Sequence, residues 1–318
     1  MKKNSAVDGL RFVCNILVVG FHAGMFPGNV PVSCGSRILG MVSCAMWWLG
    51  IPMLFVISGW CFFRGVERMT FKWWLGKLRN RVWRLLVPFL IWGAIFTALY
   101  CVLGRYSSRV AERLAERQIT DWRGYLCAVL NMRGYILYGP LWFLRTLFAC
   151  AVVAPLIGWP LFVSRQQPLF SAMSLVVMLL GGFMIGRALE AGGFSQYPWY
   201  GFSCFGIGAW IAVNGECLAP VKRFLDGSIL DRFGRSVWAQ RWLLPTGMFV
   251  YVVHLFVNRI VQYSLCRPVD GAFGQLSLVF VLSFGVSVVV PVVLWHLLNS
   301  CCPRLFSILD GRGIARSV

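Results

Sequence analysis

A chain of 318 residues that is 58% hydrophobic and only 13% charged, with a mean hydropathy of +0.71, is neither an ordinary soluble globule nor a disordered segment. Thirty Lys and Arg against eleven Asp and Glu give a net charge of +19. Because the basic residues stand between long apolar runs, the partner of that charge is a membrane surface, and a nucleic-acid-binding role is excluded.

Met1-Lys2-Lys3 followed by an apolar run has the outline of a signal peptide, but the run carries Arg11 and His22 and no small-residue cleavage site. It is expected to stay as a first span. A spanning helix needs about 20 largely apolar residues, and eight stretches qualify: 10–28, 39–63, 85–104, 139–163, 169–187, 199–214, 246–265 and 276–299. Their glycines and prolines are tolerable where neighbouring helices re-satisfy the backbone. The fold class is an all-α polytopic transmembrane helical bundle of about eight spans. No repeat, low-complexity tract or flexible linker divides it, so residues 1–318 are expected to form a single domain.

Alternating sides along these spans gives eighteen basic residues on the N-terminal side against nine on the other, so both termini are expected to be cytosolic. The stretch 105–138 is placed outside although it holds six arginines. Arg109, Arg113 and Arg117 recur every four residues with Glu112 and Glu116 between them, the pattern of a solvated or interfacial helix. Twelve cysteines show no Cys-x-x-Cys spacing, and six of them (Cys14, Cys44, Cys61, Cys101, Cys150 and Cys204) lie inside apolar stretches, where they are expected to serve as buried small hydrophobes.

Ionisable groups inside a bilayer usually face a cavity or a partner. Arg11, His22, Arg145 and His254 are the four that need a reason. Arg11 and His22 are eleven residues apart, which on a helix returns to within about 20° of the same face and about 16 Å deeper. An imidazole titrates near neutrality, so it can take a proton from a hydroxyl and return it to a leaving group, as acyl transfer to an alcohol requires. A metal site would need His22, His254 and His296 to converge without an intramembrane carboxylate, and none is expected. His254 lies about 12 Å into the seventh span, close to the level of His22. The two histidines are expected to border one chamber, with Arg81 and Arg84 at its inner mouth and Arg145 towards its outer one.

Five motifs stand in a recognisable order. Asp8-Gly9-Leu10-Arg11 is followed ten residues later by His22, and Gly50-Ile51-Pro52-Met53-Leu54-Phe55-Val56-Ile57-Ser58-Gly59-Trp60 is a Phe-containing run ending near Ser-Gly. Lys77-Leu78-Arg79-Asn80-Arg81-Val82-Trp83-Arg84 places Arg-x-x-Arg before Pro88, Leu141-Trp142-Phe143-Leu144 opens a later span, and Tyr251-Val252-Val253-His254 lies near the C-terminus. This set resembles the acyltransferase type 3 family, integral membrane proteins that O-acylate glycans and other envelope molecules.

The resemblance implies a multi-pass protein of the bacterial cytoplasmic (inner) membrane. Its donor would be acetyl-coenzyme A or another acyl-coenzyme A, with no metal, and its acceptor an envelope glycan or lipid-linked saccharide, among membrane lipids. It implies His22 and Arg11 as catalytic residues. Arg81, Arg84, Lys77 and Arg79 would meet the phosphates of the polyanionic donor, although the same run also enforces topology and contacts anionic lipid. Arg145, His254 and Ser58 are candidate substrate-binding residues. Family members usually have ten spans, and the shortfall falls between Gly215 and Pro245. No soluble esterase-like domain is expected, so transfer would be completed within the membrane part. A glycan or small-molecule transporter or export partner, and an inactive shortened family member, are the alternatives.

Overall fold

The computed structural model describes residues 5–26, 32–132, 137–164, 168–192, 198–214, 228–265 and 272–311, and among them no strand occurs. Lys2, Lys3, Arg133, Arg165, Lys222, Arg223, Arg267, Arg312 and Arg316 of the charge count lie outside the described residues. The helices are α1 Ser5–Ala23, α2 Cys34–Phe63, α3 Phe71–Arg81, α4 Val87–Gly104, α5 Ser108–Glu116, α6 Trp122–Val129, α7 Leu141–Val152, α8 Ala154–Ser164, α9 Pro168–Ala191 and α10 Pro198–Val213. They continue as α11 Ile229–Arg235, α12 Val237–Trp242, α13 Gly247–Leu265, α14 Phe273–Cys301 and α15 Pro303–Leu309. A π-helical segment, Val82–Leu86, joins α3 to α4, and a 3-10 turn, Leu244–Thr246, precedes α13.

Six described helical segments are long and apolar enough to cross a membrane, and α7 with α8, bent by 50°, makes a seventh if the pair is one span. The stretch Tyr200–Val213 is apolar but shorter. Each of the eight expected spans thus coincides with an apolar helix or broken helix, and the chain is a polytopic α-helical membrane protein. The expected single span 139–163 is broken at Val153 because Pro155 has no N–H to offer the carbonyl of Ala151, which its ring also crowds. The stretch 228–242 holds two short helices, α11 and α12, started by Ser228 and Ser236, whose hydroxyls accept from the amides of Asp231 and Ala239. Of the cysteines expected to be buried, Cys14 and Cys150 are, while Cys44 is exposed on α2. An apolar run that crosses a bilayer does not require an interior position for every residue, since a lipid-facing side is equally apolar.

The chain forms two compact units, Met1–Leu54 with Cys217–Pro303 and Phe55–Glu216 with Arg304–Val318. In the first, α1 packs against α11, α13 and α14, and α13 against α14. Ser5 donates a short hydrogen bond to Asp231, whose carboxylate also pairs with Arg235 at 2.7 Å, and Phe12 meets Phe233 with ring centroids 5.9 Å apart. The N-terminal half of α1 is therefore held by α11, and its C-terminal end by α13, as described below.

In the second unit the end of α2 crosses α10 at close range. The carbonyl of Phe205 occupies the space where a Cβ on Gly59 would stand, and the carbonyl of Val56 does the same for Gly208. Between apolar helices in lipid, attraction comes from such close packing, which small residues permit. Around this crossing Phe55, Phe62, Phe63, Phe202 and Phe205 are almost wholly enclosed. The α5 helix lies outside this core. It has no buried residue, and Arg109, Arg113, Arg117, Glu112 and Glu116 are all exposed, in keeping with a solvated or interfacial helix.

Gly208→Ala is expected to lower the stability of the detergent-solubilised protein by about 1–3 kcal/mol through overpacking. Gly206→Ala, where the new methyl would meet only the Met178 side chain at 3.6 Å or more, should be neutral or slightly stabilising. Thermal unfolding followed by tryptophan fluorescence compares the two.

Candidate functional site

The strongest chemical constellation lies in the first unit, where α1 runs beside α13. On α13 the residues His254, Asn258 and Gln262 recur every four positions and so share one face, and all three are fully buried. Gln262 donates to the carbonyl of Ala23 at 2.9 Å and to that of His22 at 3.4 Å. Arg259 donates to the carbonyl of Met25 at 3.1 Å and to Gln262 Oε1 at 3.2 Å. The last carbonyls of a helix have no partner within it. Here α13 supplies donors to them, one of them cationic at the negative end of the α1 dipole.

That fastening brings the His22 ring to the His254 ring, with centroids 5.1 Å apart and planes tilted by 42°. Counting levels along the two spans anticipates this proximity. His254 Nδ1 lies 2.6 Å from the carbonyl oxygen of Tyr251 and 3.2 Å from that of Val250. Carbonyls only accept, so Nδ1 carries the proton and Nε2 presents a lone pair. His254 Nε2 is enclosed without a hydrogen-bond partner, as is His22 Nδ1. His22 itself is half-buried and also packs on Phe21 at 4.7 Å. Two imidazoles side by side, one with its tautomer fixed by backbone carbonyls, form a unit suited to taking up and returning a proton.

Arg11, near the other end of α1, is paired with Asp8 at 3.9 Å, and its side chain is 38% exposed. One oxygen of Asp8, Oδ2, is enclosed without a partner. The third histidine, His296, is half-buried and donates from Nε2 to the carbonyl of Trp242, 3.1 Å away, with its ring tilted by 50° against that indole at 4.7 Å. A backbone carbonyl fixes the proton on its Nε2 as well.

The remaining predicted residues belong to the second unit. Thr70 caps α3 by accepting from the amide of Trp73. Lys77 lies over the Trp73 ring at 5.7 Å and Arg81 over the Phe62 ring at 5.7 Å, whereas Arg79 and Arg84 are exposed. The π segment follows from Pro88. Its nitrogen has no hydrogen for the carbonyl of Arg84, four residues earlier, and Val87 N–H donates instead to Val82, five residues back. The carbonyl of Arg84 faces Gly311, whose φ of +68° and missing Cβ allow that approach, and Trp92 Nε1 donates to the carbonyl of Leu309 at 3.0 Å. The segment after α15 is thereby seated on the Arg-x-x-Arg turn.

Arg145 is buried, and its Nη1 donates to the carbonyls of Leu130 at 2.9 Å and Asn131 at 2.7 Å, closing the C-terminal end of α6. Ser58 is buried one residue before the tight crossing at Gly59. Both positions are engaged in packing the second unit. Among the described residues no group of three His, Cys, Asp or Glu is arranged to hold a metal ion.

The sequence reading singled out His254 but passed over Asn258 and Gln262. The signal was present as an i, i+4, i+8 polar stripe inside an apolar span. It went unread because Asn and Gln carry no charge to flag them.

Replacing His22 and His254 with cysteine in a background where the native cysteines are serine is expected to give a pair that a mild oxidant or a short bifunctional thiol reagent links. Peptide mapping by mass spectrometry reads the cross-link, and its absence would contradict the side-by-side placement.

The acyltransferase domain family matches residues 4–226 of the chain, which takes in α1 with Arg11 and His22, the Arg-x-x-Arg turn and the helices through α10. The chain is also 30% identical over 181 residues to the succinoglycan biosynthesis protein ExoH of Rhizobium meliloti (strain 1021). That match takes in 55% of this chain and spans 44% of the length of ExoH. No solved structure matches the chain. With most of its length matched by the family and its apolar helices long enough to cross a bilayer, the chain belongs to the acyltransferase domain family as a multi-pass membrane member.

Proposed function

We propose that this protein is a membrane O-acyltransferase, acting as one transmembrane domain in the bacterial cytoplasmic membrane with both termini in the cytosol. It moves an acyl group, most simply acetyl, from cytosolic acyl-coenzyme A to a hydroxyl of an envelope saccharide. The observation that carries the reading is the His22–His254 pair with ring centroids 5.1 Å apart, His22 lying within the acyltransferase family match and His254 beyond it. The name of ExoH, a succinoglycan biosynthesis protein, supports a saccharide acceptor.

In this mechanism His22 is the base. It takes the proton of the acceptor hydroxyl as that oxygen attacks the thioester carbonyl, and gives it to the departing thiolate. His254, with Nδ1–H held by the carbonyls of Tyr251 and Val250, offers its Nε2 lone pair to the imidazolium that forms. Arg81 and Arg84, with Lys77 and Arg79, take the donor phosphates, for which the exposed Arg79 and Arg84 and the half-buried Arg81 supply charge-assisted hydrogen bonds. Arg11, at the cytosolic end of α1, would steady the pyrophosphate or thioester end, exchanging its long contact with Asp8 for the anion. Arg145 and Ser58 serve the acceptor indirectly by holding the helices of the second unit.

The decisive experiment incubates membranes containing the protein with radiolabelled acetyl-coenzyme A and extracted envelope glycans. Label in a base-labile ester is expected, and its absence with every acyl donor tried would sink the proposal. In that assay His22→Ala should lose about two to four orders of magnitude in turnover while the protein still accumulates in the membrane, as for loss of an acid-base group. Substituting Arg81 and Arg84 together with Gln should raise the KM for acetyl-coenzyme A about tenfold or more with a smaller change in kcat, the signature of lost ground-state binding. If cysteine accessibility instead reports a changed orientation in the membrane, those arginines act on topology alone.

A further inference from the structure

Asn258 is the one member of the α13 stripe with no side-chain polar atom in a hydrogen bond. Gln262, one turn later, spends its amide on the carbonyls of Ala23 and His22, and His254, one turn earlier, spends Nδ1 on two carbonyls. Asn258 is fully enclosed, and neither its Nδ2 nor its Oδ1 has a hydrogen-bond partner among the described residues. Natural interiors rarely leave both halves of a buried amide unmet, because each loses its hydration without compensation. A leucine would fill the same space in an apolar span without that cost.

Its position gives the amide a use. Residues one turn apart on a helix are neighbours, so Asn258 lies directly beside His254, whose ring meets that of His22. It also sits between two contacts of α13 with His22, the ring contact at His254 and the carbonyl contact at Gln262. Ser283 and Ser287, one turn apart on α14, are likewise fully enclosed with unpartnered hydroxyls, and α14 packs along α13. The polar atoms left over in this unit therefore gather on the helices that carry or flank the histidine pair.

We propose that Asn258 is a catalytic residue of the acyl transfer, its Nδ2–H donating to the oxygen of the thioester carbonyl as that oxygen becomes an anion; this rests on the reading of His22 as the base. The acceptor oxygen forms a bond to the carbonyl carbon as its proton passes to His22, and the π pair moves onto the carbonyl oxygen, where Asn258 holds it. The C=O bond then re-forms, the carbon–sulfur bond breaks, and the thiolate leaves with the proton from His22 as free coenzyme A thiol. A neutral amide fixed in an enclosed site is suited to this task because its dipole needs no reorganisation when the charge appears.

The test uses the full chain in membranes, with radiolabelled acetyl-coenzyme A and extracted envelope glycan as probes. Asn258→Ala is expected to lower kcat by about 10²- to 10³-fold with little change in the KM for acetyl-coenzyme A, as for loss of one oxyanion donor. Asn258→Asp keeps the shape but replaces the donor with an acceptor, and should be at least as slow. Asn258→Ala should keep a thermal midpoint in detergent close to that of the wild type, because the amide makes no hydrogen bond that the substitution would break. Wild-type turnover in either variant, a loss confined to KM, or a loss that tracks a lowered thermal midpoint would overturn the assignment and leave the acyltransferase reading standing. An inactive wild type would instead remove the reading beneath it, and this assignment with it.

Discussion

Inside a bilayer there is no water to satisfy a backbone carbonyl, so whatever a helix leaves open at its end must be met by another part of the protein. In this chain the open end of α1 is met by α13, through Gln262 and Arg259, and much else depends on that fastening. It fixes the register of the two helices and brings their histidines together. The tautomer of His254 is set within its own helix, because the groups nearest its Nδ1 are the carbonyls of Tyr251 and Val250, which only accept. The hydrogen bonds that meet this requirement of the membrane also hold the two imidazoles side by side.

A comparable economy appears in the second unit at the Arg-x-x-Arg turn. Pro88 interrupts the hydrogen-bond ladder, and the interruption is absorbed as a short π segment instead of a break in the helix. Widened turns of this type often mark functional positions. Here the segment carries Arg84 and lies directly after Arg81, while Gly311 is seated on its freed carbonyl. The half-buried Arg81 and the exposed Arg84 therefore stand on a backbone held by the segment around Gly311.

Arg145 shows where intramembrane charge has a structural explanation. A buried arginine in an apolar span suggests a ligand, yet its Nη1 meets two carbonyls at the end of α6, where Asn131, with φ of +54°, turns the chain away. Arg259 is a second case, at the end of α1. Two of the arginines that fall in the spans are thus used to close helix ends, as expected where those carbonyls have no solvent.

Much of the architecture was legible in the sequence. The apolar run lengths are set by bilayer thickness, so every expected span coincides with a helix or a broken helix, and the similar levels of His22 and His254 were readable by counting residues along two spans of expected direction. The spacing of Arg11 and His22, and the Arg-x-x-Arg before a proline, were likewise readable because helical geometry and the missing proline N–H are local properties. What the sequence did not decide was which polar groups satisfy one another. Asn258 and Gln262 have similar chemistry and lie four residues apart, yet one is spent on the end of α1 and the other is left without a partner. Only the packing of α1 on α13 separates them, because a hydrogen bond is won or lost over less than an ångström, a distance that no residue pattern specifies.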